Sequence, residues 1–139
     1  MLTKLLYWFM RSRRYRKGVV SYGGNRISVE IADTFAKQAL GLMHREGIGS
    51  DEGMLFVFGR ENQESIWIMD MKFGIDIVWM NSAGKVVGIE EGAVPCRSIF
   101  NCKTYAPSAK AKYVLEINSG KAKRLGIRIG ETLLLRLGA

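Results

Sequence analysis

Turn-forming residues cut the middle of this chain into short apolar or alternating segments roughly every 8 to 12 residues, a rhythm that favours a sandwich or barrel over βαβ units. The cleanest segment is Arg26-Ile27-Ser28-Val29-Glu30-Ile31, where Ile27, Val29 and Ile31 share one face. Gly23-Gly24-Asn25 before it reads as a hairpin turn, because glycine and asparagine tolerate positive φ, and Val19 to Tyr22 reads as the strand that enters it. Residues 54–58 are continuously apolar and short, which suits a strand buried on both faces. Residues 66–71 and 75–80 read as two more strands, and Asn81-Ser82-Ala83-Gly84 as a hairpin turn into 85–90. Residues 112–118 alternate with Tyr113, Leu115 and Ile117 inward, and Leu133, Leu135 and Leu137 line a last strand. One helix is expected near residues 34–43. Asp33 or Thr34 can cap it, and apolar residues fall at 32, 35, 36, 39, 40 and 43. Residues 119–125 add a short basic helical turn. The expectation is a mainly β chain, a compact antiparallel β-barrel or sandwich of about eight strands with one or two short helices.

A chain of 139 residues is one domain by length and can bury a core without a metal or a disulfide framework. Its charge is unevenly spread. Residues 1–17 hold six of the 21 bases and none of the 13 acids, which leaves 15 bases against 13 acids in the rest. The expected organisation is a flexible basic arm over residues 1–17 and a single β domain over residues 18–139. The apolar run from Leu5 to Met10 is far short of the roughly 20 residues that span a bilayer, and most of the positive charge follows it, unlike a secretory signal. The body is therefore expected in the cytoplasm, with an anionic membrane surface as a partner for the arm. Nucleic acid could use the same cations but would leave Leu5, Leu6 and Phe9 without a purpose.

Residues 41–76 carry most of the chemistry-bearing candidates. Asp70 and Asp76 interrupt segments that are otherwise apolar, and a carboxylate in such a place must be paired or protonated. On strand parity Asp70 shares a face with Ile66 and Ile68, while Trp67, Met69 and Met71 share the other and suit an adaptable pocket wall. Arg45 can hold an anionic group or tie its loop to Asp70, Asp76 or Glu116. Glu116 falls on the polar face of its strand, as a surface acid or as a carboxylate lining the same cleft as Arg45. His44 is the sole histidine, so a two-histidine metal site is excluded, and no serine or cysteine sits in a nucleophile elbow. Cys96 and Cys102 are spaced poorly for zinc and suit either free thiols or a small closed loop.

Several blocks in order resemble one known family. They are Gly41-Leu42-Met43 with Arg45, then Gly53-Met54-Leu55-Phe56-Val57-Phe58, then Trp67 through Asp76. Tyr113-Val114-Leu115-Glu116-Ile117 with Gly120, and Gly126-Ile127 with Gly130, complete the pattern. Over about residues 26 to 135 the chain resembles the DUF192 family, small bacterial and archaeal proteins built on a domain of unknown function. The family's usual methionine–lysine–asparagine after the tryptophan is here Ile68-Met69-Asp70, and its usual proline before the following strand is Gly74. The resemblance implies a compact, mostly β fold and brings no reaction and no cofactor.

Three functional expectations follow. The first is a non-catalytic module that binds a ligand or protein partner in a cleft within residues 41–76, with Arg45, Trp67, Asp70, Asp76 and Glu116 as binding residues and neither catalytic residues nor metal. The second is a hydrolase-like enzyme that pairs Asp70, Asp76 or Glu116 as acid and base. The third is an accessory protein that works through the arm.

Overall fold

A computed structural model describes residues 15–138 of the chain. Gly23 and Gly24, both at positive φ, make a two-residue turn that joins β1 (Arg16–Tyr22) to β2 (Asn25–Ala32), with Tyr22 paired to Asn25. Thr34 stops β2 from running on. Its backbone is extended and its hydroxyl accepts from Lys37 N at 3.2 Å, which caps α1 (Phe35–Leu40). Gly41 ends the helix, and the chain returns as β3 (Glu52–Asn62), parallel to β2. The helical crossover supplies the length that a parallel pair needs. β4 (Ile75–Met80), β5 (Val86–Ala93), β6 (Ala111–Asn118), α2 (Lys121–Leu125) and β7 (Leu134–Leu137) follow.

The strands form one sheet in the order β5-β4-β6-β3-β2-β1-β7, antiparallel except for β2–β3. The sheet is mixed and open, so the mainly β class holds with seven strands rather than eight and with one parallel pair. It curls until its edges meet at one end. Val86 N donates to Glu131 O at 2.8 Å, Gly130 N to Val86 O at 2.9 Å and Leu133 N to Gly84 O at 2.9 Å, which ties the start of edge strand β5 to the segment that leads into edge strand β7.

Apolar residues fill both faces. The inner face gathers Val20, Val29, Ile31, Leu55, Val78, Leu115 and Ile117 around Ala122, Ile127 and Leu133. The outer face carries Met54, Phe56, Ile75, Ile77 and Val114, and is covered by Leu42, Ile66, Ile68, Met71 and Tyr105. Residues 66–71 are not a strand. Two isolated bridges hold them, Ile66 with Tyr105 and Met69 with Cys96, beneath the connection from β5 to β6. Parity fails there: Ile68, Met69 and Met71 are all buried while Trp67 is exposed, and the chain bends at Asp70, which sits at φ 54°. Cys96 and Cys102 are joined as a disulfide within that connection.

The expected arm and body meet earlier than residue 17. Arg16 and Lys17 are already in β1, and Tyr15 is buried in the outer core. The rest of the arm, with its apolar and basic runs, lies outside the described residues. Among the described residues, no helix is long and apolar enough to cross a membrane.

Asp76 is fully buried on the inner face. Its Oδ1 accepts from Gly92 N and its Oδ2 from Ala122 N, both at 2.9 Å. The second bond caps the first turn of α2, where Gly120 offers no side chain. The carboxylate thus fastens β4 to β5 and to α2. Asp76→Ala strands the buried Ala122 N and the more exposed Gly92 N, and is expected to destabilise the domain by about 1–3 kcal/mol in urea melts. A loss below about 0.5 kcal/mol, the range of ordinary surface substitutions, contradicts that role.

Candidate functional site

Two clefts of the described surface hold candidate residues, Arg45 in one and Trp67 with Glu116 in the other. The larger, about 1000 Å³, lies where the loop after α1 meets β1, β2 and β7. Arg45 lines it, but its guanidinium pairs with Glu30 and sits 5.8 Å from the centre of the Tyr15 ring. Arg45 therefore reaches none of the three acids first considered for it. Lys17 and Arg136 face Glu46 and Glu52 across the same opening, so its charge is mixed.

The smaller cleft, about 300 Å³, opens on the outer face of the sheet. β6 builds its floor. Val114 and Leu115 point to opposite faces, and alternation then sends Glu116 outward between Met54 of β3 and Ile77 of β4. β6 is flanked on both sides and the outer face is roofed, so Glu116 is only 2% exposed. It is a buried acid, not a surface one. Among the described residues no hydrogen bond or ion pair reaches its carboxyl. Loss of hydration alone pushes that carboxyl up from 4.5 to about 8.

Aromatic and thioether side chains make the walls. Phe56 and Phe58 come from β3, Met43 from the turn after α1, and Trp67 and Met71 from the bridged segment. Phe35 and Trp67 stand at 88% and 45% exposure. The amide of Gln38 donates to Ala32 O at 3.1 Å and Val57 O at 3.0 Å, which pins α1 against the end of β2 and the middle of β3 and fixes that wall. Glu64 and Ser65 complete the lining.

The structure thus brings Trp67 and Glu116 together and keeps the other three apart. Arg45 lines the larger cleft. Asp76 is on the inner face with both oxygens occupied. Asp70 is half-buried at a turn that lines neither cleft; its N donates to Cys96 O at 2.8 Å and its carbonyl accepts from His44 N at 3.2 Å. No described group of three or more His, Cys, Asp or Glu side chains could hold a metal ion. Sequence reasoning passed over Gln38, Phe58 and Glu64. Only the greasy run of β3 signalled a wall there.

A family model for DUF192, an uncharacterized ACR family, matches residues 18–135. The chain belongs to the DUF192 family. It is 30% identical over 119 residues to a UPF0127 protein of Thermococcus gammatolerans, spanning 84% of this chain and 69% of that one. Two crystal structures are similar at 31% identity. One, from Sinorhizobium meliloti and provisionally named a transcription regulator, superposes with a TM-score of 0.79 over 88% of this chain and 95% of its own. The other, from Novosphingobium aromaticivorans and of unknown function, gives 0.74 over 85% and 83%.

Of the DUF192 blocks quoted from the sequence, Arg45 and Gly53 line the larger cleft, while another part lies around the smaller one. Gly41, Leu42 and Met43 edge it, Phe56 and Phe58 wall it, and Glu116 floors it. Gly53 is a packing requirement: a Cβ there would lie 2.7 Å from the backbone oxygen of Glu116 and 2.9 Å from Ile117. Between pH 4.5 and about 8 the unfolded chain has released the Glu116 proton while the folded chain still holds it. Folding then takes up a proton, so the stability that Glu116 contributes is complete below 4.5 and is lost as pH rises toward 8. Glu116→Gln is expected to remove that slope. Relative to the unaltered protein it should gain stability from pH 5 to pH 8.5, by on the order of 4 kcal/mol at most, in urea melts at the two pH values. A difference that does not change with pH would mean a hydrated carboxylate.

Proposed function

We propose that this DUF192 chain is a non-catalytic binding module for a small ligand, and that the ligand sits in the cleft between Trp67 and Glu116. One observation carries the reading: a carboxyl 2% exposed and without a partner among the described residues lies under an aromatic rim that is open to solvent. Leaving a polar group unpaired in a core costs stability, and such groups persist where they serve a ligand. A cleft walled by aromatic and aliphatic side chains with Gln38, Glu64, Ser65 and Glu116 as its polar groups has the form of a small-molecule site, and about 300 Å³ is the lower end of that range. The paired-carboxylate reading draws no comparable support. Asp76 is consumed by two backbone amides and points away from Glu116, and Asp70 lines neither cleft.

The test is a fragment screen by amide NMR with small amines, alcohols and carboxylates. Binders are expected to shift resonances of Met43, Trp67 and Glu116, and Trp67→Ala should weaken them about tenfold, as the loss of an aromatic anchor commonly does. Binders that move only residues around Arg45 and Glu30, or none that move either cleft, would refute this site.

A further inference from the structure

We propose that the ligand of this cleft is a small organic cation, an ammonium group on a short apolar body. The inference rests on the binding reading above and adds the charge of the ligand. The chain as a whole carries 21 bases and 13 acids, yet the ionisable groups that line this cleft are Glu64 and Glu116, both acids. Among the described residues no Lys, Arg or His lines it. The larger cleft has Lys17, Arg45 and Arg136 beside its acids, so the all-acidic lining is particular to the smaller one.

Both acids are free to receive a cation. No ion pair or hydrogen bond reaches the side chain of Glu64 or of Glu116 among the described residues. A bound ammonium favours the ionised form of Glu116, so binding releases the proton that burial holds there; the carboxylate it then meets is an acceptor only, and a desolvated ammonium–carboxylate bond is of the strong, charge-assisted kind. The walls add a second attraction. The faces of Phe35 and Trp67 are exposed at the mouth, and aromatic faces draw cations that pass over them. The apolar body of the ligand then displaces water from Phe56, Phe58 and Met71. An anion would meet two acids and, among the described lining residues, no cation. A neutral alcohol could share the apolar contacts and one hydrogen bond, but would leave the second acid and the ring faces unused.

The experiment uses three probes with one carbon body and three charges: benzylamine, benzyl alcohol and benzoate. Each is titrated into the full chain and followed by amide and indole NMR shifts of Glu116 and Trp67. Benzylamine is expected to bind at least about tenfold more tightly than benzyl alcohol, the scale of a desolvated charge contact with cation–π support, and benzoate most weakly. Glu116→Gln should abolish the preference for the amine while it keeps the affinity for the alcohol. Glu64→Gln is exposed and folds without consequence for the core, and should narrow the preference several-fold. Equal or tighter binding of benzyl alcohol at the cleft would overturn the cationic assignment and leave the binding module standing. Failure of all three to move cleft resonances would overturn both.

Discussion

Strand β6 runs between β4 and β3 with apolar layers above and below it, and this two-sided burial governs the rest of the molecule. Consecutive side chains of a strand face opposite ways. In a sheet with one wet face, half of them could be polar without cost. Here neither face of the centre is wet, so each acid in β4 or β6 must find another answer to burial. Asp76, on the inner face, finds it in two backbone amides. Glu116, one strand over and on the outer face, finds no partner among the described residues, and burial pushes its carboxyl up to about 8. Two carboxyls of similar burial serve opposite purposes, one as a fastener and one as an open valence.

Much of the fold could be read from residue pattern. The alternation of residues 26–31, the glycine pair before it and the apolar runs of β3 and β4 announce local geometry that tertiary contacts only reinforce. The errors share a cause. Period-2 reasoning assigns each residue to an inside or an outside, and it placed Glu116 outside because Leu115 and Ile117 were inside. It holds no information on a second layer assembled from distant loops, here residues 40–43 and 66–71 and Tyr105. The same blindness put Phe35 on the apolar stripe of α1, although the helix is too short to cover it and 88% of it is exposed.

The segment 66–71 failed differently. Its composition is that of a strand, but Asp70 adopts φ 54°, a conformation in which asparagine and aspartate are the best tolerated residues after glycine. The asparagine of the family pattern at this place has the same property, so residue type there reports a backbone bend more than chemistry. The cleft was half legible. Trp67 drew notice through its setting, and Glu116 through its block, but that the two share a cleft and Arg45 does not is a matter of topology. Composition could not show that Arg45 already has Glu30 beside Tyr15.

The outermost pairing of the sheet sets the order in which the domain can be completed. β1 pairs on one side with β2, its neighbour in sequence, and on the other with β7, so that Gly18 lies opposite Leu137. A chain emerging from a ribosome can form the first hairpin at once, but one edge of β1 then waits, its amides and carbonyls unpaired, until the last described strand has been made. Pairings between segments so far apart in sequence close slowly. During that interval the waiting edge is a template for any extended segment, including the same edge of another copy. Nascent chains of this protein would thus be most vulnerable to misassembly just before β7 emerges, when the other described strands are already in place.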